Sequence, residues 1–598
     1  MGAAMKHAAK HESMPHGARM SMQPIGLVVC YRDVEDDILC VEERKQLESF
    51  DDETIDLHAS YDGEVIRLAV TPRRPVKMEY VQVQLRHAFS SHEMMLMNGY
   101  QSWTDTRERL AWERIKGLRG VPSAVVKRYA IDGGGDYGMV DYSAKRGWQH
   151  GFTYATFRRD EGMVLVGSLD ESQGFALLQA NAAEGSVTLQ TECPNRAIEP
   201  GEQVTLGSYA IVRGHVDECY DRWFELAGIT ARPVRPLVGY TSWYRHYGDI
   251  DEAKLQNDLE GMVAQDLPGV LQRLDAQAPS GDISPDTAQD ERQNHASAKS
   301  ASSGAASPPA HGSSCADEAA KPLLLFQIDD GYCKVGDWLE VDQGKFPRGL
   351  APLAAEIREA GFMPGLWVAP YLCEKESRLF RERPEWLLRD EKGEPVPTGP
   401  QWSGGYALDT RNTEVRSYVL DVLRTMTRDW GFGLLKVDFL YAACMQTHDG
   451  LNHGQLMADA IDLLRKGAGE DTLILGCGVP LGSVFGRVDY CRIGCDVGLD
   501  WDDKLHMRLL HRERVSTKNS MGNTLSRQPL DGRAFGNDPD VFFLRDDVSL
   551  SQAQRDRLLQ ADATSGSVFL TSDDMGLWND RMRQSYEEAL STFIARFR

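Results

Sequence analysis

The sequence predicts a multidomain protein, with an N-terminal β-sandwich followed by a (β/α)8 TIM barrel. Three observations support this fold class. The chain has 598 residues, more than one ordinary domain contains. Its first third alternates apolar and polar residues with the period of two that marks half-buried strands. The remainder alternates continuous apolar runs with helical patterns, as expected of parallel strands that helices cover on both faces.

The sandwich is assigned to residues 25–232, where short strand patterns are separated by Gly, Asp and Asn at the turns. Pro233 and Pro236 mark the exit from this region. Residues 1–24 are polar and lack the apolar core of a signal peptide, so they are predicted to be a disordered tail. The clearest strand patterns cover 64–70, 78–85, 163–169 and 186–191.

The catalytic barrel is assigned to residues 233–598. Amphipathic patterns over 350–360, 414–430 and 454–466 predict helices between its strands. A Ser-, Ala-, Asp- and Pro-rich stretch at about 278–320 interrupts the pattern and is predicted to be a disordered insertion, more simply a tolerated surface loop than a regulatory segment. The eight apolar runs begin near 237, 323, 363, 434, 473, 490, 540 and 567.

Composition narrows the range of partners and locations. The formal charge of −23 argues against nucleic acid or an anionic membrane as the main partner, because both bind to positively charged protein surfaces. No run of about 18 apolar residues occurs, so no membrane span is expected. The 11 cysteines are scattered along the chain rather than packed into a disulfide framework, which favours reduced thiols and a cytoplasmic protein.

Candidate site residues are those at the carboxyl ends of the predicted strands, where barrels of this class carry their active sites. The candidates contain neither the Cys/His spacing of a metal site nor a Gly-rich phosphate loop, so no metal and no cofactor are predicted. Asp573 and Asp574, after the eighth run, are interpreted as caps of the last helix. In chain order the candidates are Trp243, Tyr244, Asp329, Asp330, Trp367, Lys436, Asp438, Cys477, Arg492 and Asp496.

Carboxylates and aromatic rings at a barrel mouth are typical of a sugar site. Rings pack on the apolar face of a pyranose, and carboxylates accept hydrogen bonds from its hydroxyls. Lys436 and Asp438 lie two residues apart on one strand, so they share a face, and the lysine favours the ionised carboxylate. A structural ion pair is the alternative for these two residues. Cleavage of a glycosidic bond needs two carboxyl groups, and Asp438 and Asp496 could face each other across the mouth.

Seven motifs, in order, resemble the α-galactosidases of glycoside hydrolase family 36. NGYQSW (98–103) resembles the motif of that family's N-terminal sandwich, and NDPD (537–540) resembles its seventh-strand motif. The resemblance extends from about residue 25 onward. The other five motifs are FQIDDGY (326–332), GLWVAP (365–370), LKVDFLYA (435–442), LGCGVPLG (475–482) and CRIGCDV (491–497).

The resemblance implies a retaining mechanism in which Asp438 is the nucleophile and Asp496 the general acid/base. Retaining glycosidases place these two carboxyl groups about 5–5.5 Å apart. The resemblance also implies that Asp329 and Asp330 bind the O4 and O6 hydroxyls of galactose. The resemblance also implies that Trp367 forms a wall of the active site and that Lys436 and Arg492 flank the two catalytic carboxylates. It implies that the sandwich domain contributes Trp103 to the pocket and that Cys477, on the fifth strand, lies near the sugar.

The predicted function is therefore an α-galactosidase that removes terminal α-linked galactose from oligosaccharides of the melibiose or raffinose type. Two alternatives stay open. One is a related α-glycosidase or α-galactosyl transglycosylase, including an enzyme specific for N-acetylgalactosaminides; the other is a non-catalytic sugar-binding protein. The family usually adds a C-terminal β-domain, which is expected to be absent because the chain stops at Arg598 after the last helical pattern. The oligomeric state is left open and includes a homo-oligomer.

Overall fold

The computed structural model describes residues 22–115, 117–118, 121–129, 134–143, 145–277, 321–502 and 514–598. The insertion predicted at 278–320 and residues 1–21 of the predicted tail lie outside the described residues. The last three residues predicted for the tail already belong to the first strand, Met22–Asp33.

Two antiparallel sheets make up the first region. Strand Val76–His87 shows why its sequence forms a half-buried strand, because its alternating residues, including Val81, Val83 and Leu85, are buried in a core between the sheets. The six-stranded sheet runs in the order Ile38–Arg44, Met22–Asp33, Val76–His87, Ser186–Thr191, Ala176–Asn181 and Trp148–Phe152. The eight-stranded sheet runs in the order Phe50–Asp51, Ile55–Tyr61, Val65–Pro72, Val204–Gly214, Gly162–Ser168, Tyr154–Arg159, Met94–Met97 and Arg109–Leu110.

Helix Val216–Ala227 joins the first region to the second through a shared apolar core. Trp223 on this helix is buried, and its indole N–H donates to the carbonyl of Ser168 at 2.9 Å. A Cβ at Gly167 would lie 2.4 Å from the Trp223 ring, so only glycine fits there. On its other side the Trp223 ring contacts Phe485 of the second region, with centroids 5.9 Å apart. The two regions are thus packed together, which fixes the loops of the first against the second.

Nine parallel strand segments form one sheet in the second region. Its two edge segments, Gly536–Asp538 and Val541–Phe542, are separated in the chain by two residues, so the two edges of the sheet meet. The seventh predicted strand is therefore two short segments, interrupted by Pro539 and Asp540. The other segments, in chain order, are Leu237–Thr241, Leu323–Ile328, Met363–Val368, Leu434–Val437, Leu473–Gly476, Tyr490–Arg492 and Val568–Thr571.

The helices of the second region lie between these strands, and the three sequence-predicted helices coincide with Leu350–Glu359, Thr413–Arg424 and His453–Ala468. The second of these is shorter than predicted because it continues into a π-helical turn at Thr425–Asp429. The other helices are Ser123–Tyr129 in the first region, then Trp243–His246, Glu252–Val263, Leu267–Gln277, Arg378–Glu382, Thr517–Arg527, Gln552–Ser565 and Asp580–Ala595. A small antiparallel sheet, Leu372–Glu374, Gly405–Ala407 and Pro397–Gly399, follows the third parallel strand.

Within the described part of the chain, no helix has the length and apolarity that crossing a membrane requires. The cytoplasmic location stays a prediction.

Candidate active site

A cavity of about 570 Å³ lies at the carboxyl ends of the parallel strands. Its walls combine carboxylates, one lysine and several aromatic rings, which is the mixture that the sequence predicts for a sugar site. Eight of the predicted site residues line it: Trp103, Trp243, Asp329, Asp330, Trp367, Lys436, Asp438 and Asp496.

Asp438 follows the fourth strand and is held by two hydrogen bonds. The indole N–H of Trp367 donates to its Oδ2 at 3.0 Å, and the backbone N–H of Phe439 donates to its Oδ1 at 2.8 Å. Phe439 has φ 52°, a left-handed conformation that a non-glycine residue adopts only when its surroundings enforce it. The two bonds go to different oxygens of the carboxyl group, so they fix both its position and its orientation.

Lys436 lines the same cavity, but the partner of its ammonium group is Asp329 rather than Asp438. The Lys436 Nζ to Asp329 Oδ2 distance is 2.9 Å, and both side chains are buried. Burial, the largest single influence, lowers the pKa of Lys436, but the acidic neighbours, Asp329 foremost, together outweigh it, so the net shift is upward and the lysine stays charged. The charge of Asp438 is a smaller contribution in the same direction. The predicted pairing of Lys436 with Asp438 is therefore indirect, because the lysine side chain reaches across to the second strand.

Asp330, beside Asp329, is held by an aromatic side chain that sequence reasoning missed. The indole N–H of Trp402 donates to Asp330 Oδ2 at 2.6 Å. Burial raises the pKa of Asp330 to about 6, the hydrogen bond from Trp402 opposes the shift, and the charge of Asp329 adds to it. Trp402 has φ 52° and follows Gly399, in the loop between two strands of the small sheet. This loop has no periodic pattern that would single out one tryptophan.

Asp496 follows the sixth strand and forms an ion pair with Arg492 of the same strand, at 3.0 Å from Nη1 to Oδ1. About 42% of the Asp496 side chain is exposed, and this face lines the cavity. Desolvation within the concave site raises the pKa of Asp496, and the charges of Asp438 and Asp329 add to the rise. The cations Arg492 and Lys436 oppose it. The net direction favours a carboxyl group that holds a proton.

Trp103 reaches the cavity from the first region, as the resemblance implies. Its indole N–H lies 3.3 Å from the sulfur of Cys477, and its ring meets Phe439 edge-on at 4.9 Å between centroids. Burial raises the pKa of Cys477 well above its ordinary value, so the thiol stays protonated. Trp103 and Phe439 form one aromatic wall together with Trp402, whose ring centroid lies 5.0 Å from that of Phe439.

The loop that carries Trp103 is fixed by Arg527, a fully buried arginine at the end of helix Thr517–Arg527. Its guanidinium donates to the carbonyls of Gln101 and Ser102, the two residues before Trp103, at 3.3 and 2.6 Å. It also donates to Asn98 Oδ1 at 3.0 Å. One buried cation of the second region thus holds the motif NGYQSW in place.

Three predicted site residues support the cavity without lining it. Arg492 lies beneath Asp496, and Cys477 lies behind Trp103. The hydroxyl of Tyr244 donates to Asp540 at 2.5 Å, and its ring packs against Phe543 at 5.7 Å. These three side chains do not line the cavity, and their direct contact with substrate stays a prediction.

The interpretation of Asp573 and Asp574 as caps of the last helix is also wrong. Asn579 caps helix Asp580–Ala595. Asp574 caps the short turn Met575–Leu577, and Asp573 accepts hydrogen bonds from the backbone N–H groups of Leu544 and Arg545.

Across the described residues, no group of three or more His, Cys, Asp or Glu side chains has the arrangement of a metal site. The carboxylates of the cavity are paired instead with Lys436, Arg492 and indole N–H groups.

By fold and by site, the chain resembles the glycoside hydrolases. Residues 316–448 match the Melibiase family model. An α-galactosidase of Escherichia coli is 38% identical over 164 residues, which is 25% of this chain and 22% of that enzyme, so this alignment spans about a fifth of the relative's length.

Solved structures extend the likeness to almost the whole chain. The structure of TtGalA, an α-galactosidase from Thermus thermophilus in complex with stachyose, is 25% identical, covers 91% of this chain and 99% of that chain, and has a TM-score of 0.63. The family 36 α-galactosidase AgaA from Geobacillus stearothermophilus covers 97% of this chain and 77% of its own, with 12% identity and a TM-score of 0.55, which supports the fold. The expected resemblance to the α-galactosidases of glycoside hydrolase family 36 is thereby confirmed.

Replacing Arg527 with Met should loosen the Trp103 loop, because the buried acceptors Asn98 Oδ1 and the Ser102 carbonyl lose their donor. An unsatisfied buried polar group costs about 1–3 kcal/mol. We expect amide hydrogens of the peptide covering 98–106 to exchange at least about tenfold faster, measured by hydrogen–deuterium exchange with mass spectrometry.

Lys518→Met is the matched control for this experiment. Lys518 lies on the same helix with its side chain 51% exposed, and its replacement by Met removes the same charge. Unchanged exchange at 98–106 in the Arg527 variant would show that the loop is held by other contacts.

Proposed function

We propose that this protein is a retaining α-galactosidase that hydrolyses terminal α-linked galactose from oligosaccharides by double displacement. The observation that carries the proposal is the pair of carboxyl groups that line one cavity with different partners. Asp438 accepts two hydrogen bonds that fix its orientation, whereas Asp496 pairs with Arg492 and has a raised pKa. A nucleophile must be ionised and a general acid must carry a proton, so each carboxyl group suits one role.

In the first step, the Asp438 carboxylate attacks the anomeric carbon of galactose from the face opposite the leaving group. The bond from that carbon to the glycosidic oxygen breaks, and the departing oxygen takes the proton of Asp496. The product is a galactosyl ester of Asp438 with an inverted anomeric configuration. The hydrogen bond from Trp367 to Asp438 Oδ2 fixes the carboxylate before attack.

In the second step, Asp496 acts as a base. Esterification removes the negative charge of Asp438, which lowers the pKa of Asp496 and makes it suitable for taking a proton from water. The water oxygen attacks the anomeric carbon, the ester bond to Asp438 breaks and its electrons return to the carboxylate. The second inversion restores the α-configuration, so galactose is released as the α-anomer.

Asp329 and Asp330 supply the hydroxyl contacts in this proposal. Both line the cavity, and both are carboxylates whose positions are fixed by Lys436 and Trp402 respectively. The rings of Trp103 and Trp367 provide the apolar surface for the sugar face. Arg492 and Cys477 take supporting positions behind the cavity.

The substrate class is proposed as melibiose- or raffinose-type oligosaccharides. The support is that the Thermus thermophilus α-galactosidase, which is similar over 91% of this chain, was solved with the oligosaccharide stachyose. The proposed architecture follows the sequence-based division, with residues 25–232 as a β-sandwich domain and residues 233–598 as a closed (β/α)8 barrel. The two antiparallel sheets and the meeting edges of the parallel sheet support that division.

The decisive test is a panel of p-nitrophenyl α- and β-galactosides and N-acetyl-α-galactosaminides, with the anomeric form of the first product followed by NMR. We expect hydrolysis of the α-galactoside with α-galactose formed first. First release of β-galactose would refute retention, a preference for the N-acetylated sugar would indicate the related α-glycosidase, and no turnover at all would indicate a binding protein. Sugar-to-sugar transfer at high acceptor concentration would indicate the transglycosylase.

Asp438→Gly should reduce turnover of an activated aryl α-galactoside by at least about a thousandfold, because no group remains to form the ester. Azide should restore turnover by entering the space that the carboxylate leaves, and the product should be β-galactosyl azide after a single inversion. Product configuration is measured by NMR. Near-normal turnover of the variant without azide would remove Asp438 from the nucleophile role.

Asp496→Ala should slow substrates with poor leaving groups, such as melibiose, by about 100- to 10,000-fold, because these need a proton on the departing oxygen. The first step with α-galactosyl fluoride should be much less affected, because fluoride departs without one. The measurement is kcat/KM for the two substrates, and equal losses would contradict the acid role.

Trp402→Phe should move the acid limb of the pH profile to higher pH. The indole N–H stabilises the charged form of Asp330, so its loss raises the pKa of that carboxyl above about 6 and protonates it at a pH where the native protein keeps it ionised. The measurement is kcat/KM from about pH 4 to about pH 8. Trp386→Phe is the control, because the Trp386 N–H donates instead to Glu414, outside the cavity. Equal acid limbs in both variants would mean that Asp330 does not control this limb.

A further inference from the structure

Arg492, the cation beneath Asp496, is shared among three carboxyl groups. Its Nη1 lies 3.0 Å from Asp496, its Nε donates to Asp538 Oδ2 at 3.1 Å, and its Nη2 lies 2.8 Å from Asp540 Oδ1. Asp538 and Asp540 flank Pro539, at the interruption of the seventh strand. Two of the three carboxyl groups that pair with the guanidinium therefore lie outside the cavity.

Asp540 also holds the backbone next to Asp496. Its Oδ2 accepts a hydrogen bond at 2.8 Å from the backbone N–H of Val497, the residue that directly follows Asp496. The hydroxyl of Tyr244 donates to the same oxygen. One carboxyl group thus contacts both the cation that pairs with Asp496 and the amide that follows it.

The backbone of Asp540 is strained in a way that points to a positional requirement. Its φ is 92°, a conformation that a residue with a side chain rarely adopts and that costs about 1–3 kcal/mol. Its N–H donates to Asp538 Oδ1 at 2.9 Å, which stabilises this turn. The fold therefore keeps a strained aspartate at the position from which its carboxyl reaches Arg492 and Val497.

The charged and titratable groups around this cluster come from several elements. Four groups act on Asp540. Arg492 lies on the sixth strand and Asp496 follows it, Asp538 lies on the other side of Pro539, and Tyr244 follows the first strand. Asp562 on helix Gln552–Ser565 is buried behind the cluster, and its Oδ2 has no hydrogen-bond donor. Asp496 itself also faces Lys436, Asp438 and Asp329 across the cavity.

We propose that Asp540 is a positioning residue for Asp496, which it serves by drawing the charge of Arg492 toward the seventh strand and by fixing the amide of Val497. This proposal deepens the proposed function and rests on the assignment of Asp496 as the acid/base. An arginine committed to Asp496 alone would hold that carboxyl ionised and remove the proton that the leaving group needs. Shared with Asp538 and Asp540, the same arginine orients Asp496 and leaves it able to carry the proton.

The pKa shifts of the two buried carboxyls agree with this geometry. Burial raises the pKa of Asp540 to about 7; Arg492 opposes the shift, and the charges of Asp496 and Asp538 add to it. Burial also raises the pKa of Asp562 well above its ordinary value. Asp540 gains its negative charge as the pH rises through about 7, and it is the carboxyl that pairs with Arg492.

The test is the basic limb of the kcat/KM profile for an aryl α-galactoside with a poor leaving group, which reports the pKa of the acid in the free enzyme. In Asp540→Asn the amide keeps the size of the side chain but loses its charge. Removing a like charge and releasing Arg492 both lower the pKa of Asp496. We expect the basic limb to move down by about one pH unit, which is a tenfold loss of kcat/KM at alkaline pH.

Two controls separate this effect from a structural one. Asp562→Asn changes a buried carboxyl behind the same cluster that, among the described residues, forms no ion pair with Arg492 and accepts no hydrogen bond from Val497, so its basic limb should move much less than that of Asp540→Asn. α-Galactosyl fluoride needs no proton for departure, so its kcat/KM in Asp540→Asn should stay within about twofold of the native value if the variant is folded. If Asp540→Asn does not fold, Tyr244→Phe takes its place. This change deletes the hydroxyl that donates to Asp540. The hydrogen bond lowers the pKa of Asp540, so its loss raises that pKa and leaves less of Asp540 ionised at a given pH. The basic limb should therefore move in the same direction, by a smaller amount.

The outcomes distinguish this inference from the proposed function. If Asp496→Ala selectively slows poor leaving groups but neither Asp540→Asn nor Tyr244→Phe moves the basic limb, the proposal for Asp540 is overturned and the acid role of Asp496 stands. An equal shift in Asp562→Asn would also overturn it, since a carboxyl that does not pair with Arg492 would then have the same effect. If Asp496→Ala slows all substrates equally, the acid role itself fails, whatever the Asp540 variants show.

Discussion

Two buried cations, Lys436 and Arg492, must neutralise more carboxyl groups than they can pair one to one. Lys436 is committed to Asp329, and Arg492 is divided among Asp496, Asp538 and Asp540. Burying a charge without a partner costs several kcal/mol, so a site with surplus carboxyls must hold some of them protonated or supply other donors. Indole and backbone N–H groups bind Asp330 and Asp438, and the pKa values of Asp330, Asp496 and Asp540 are raised. In the proposed mechanism, this imbalance of charge separates the group that attacks from the group that donates a proton.

The fold creates that imbalance by bringing strand ends together. Asp329, Asp438 and Asp496 follow the second, fourth and sixth parallel strands, and parallel strands present their carboxyl ends at one edge. The backbone around them is fixed by ladder bonds, such as the 2.9 Å bond from the Asp438 N–H to the carbonyl of Val368. The loop carrying Trp103 lies outside the parallel sheet, and hydrogen bonds from Arg527 hold it in place. The carboxyl groups are therefore positioned by the parallel sheet, whereas the Trp103 side of the cavity is positioned by a loop that Arg527 holds.

The sequence predicted the strands and the residues at their ends well, because apolar runs and strand alternation are local signals. It also predicted that Asp438 and Asp496 share a cavity, since both follow strands of one parallel sheet. The sequence did not show that Lys436 pairs with Asp329, because the lysine side chain reaches past the third strand to the end of the second, and spacing along one strand cannot show this. Trp402 and Arg527 were missed for a related reason: one lies in an aperiodic loop and the other pairs with residues more than 400 positions away.

The division between strand and loop residues also indicates where specificity can vary without loss of chemistry. Asp438 is fixed by the indole of Trp367 and the backbone of Phe439, and Asp496 pairs with Arg492, so a change at either carboxyl alters the charge balance of the whole site. Trp103 lies on a loop and contacts Cys477 and Phe439, so in the proposed function a change of its ring acts first on the aromatic wall. Trp402 belongs to both groups, because its ring lines the cavity while its N–H holds Asp330. A substitution that adapts this wall to another sugar therefore also changes the ionisation of Asp330, and this coupling constrains which aromatic or polar side chains the position can accept.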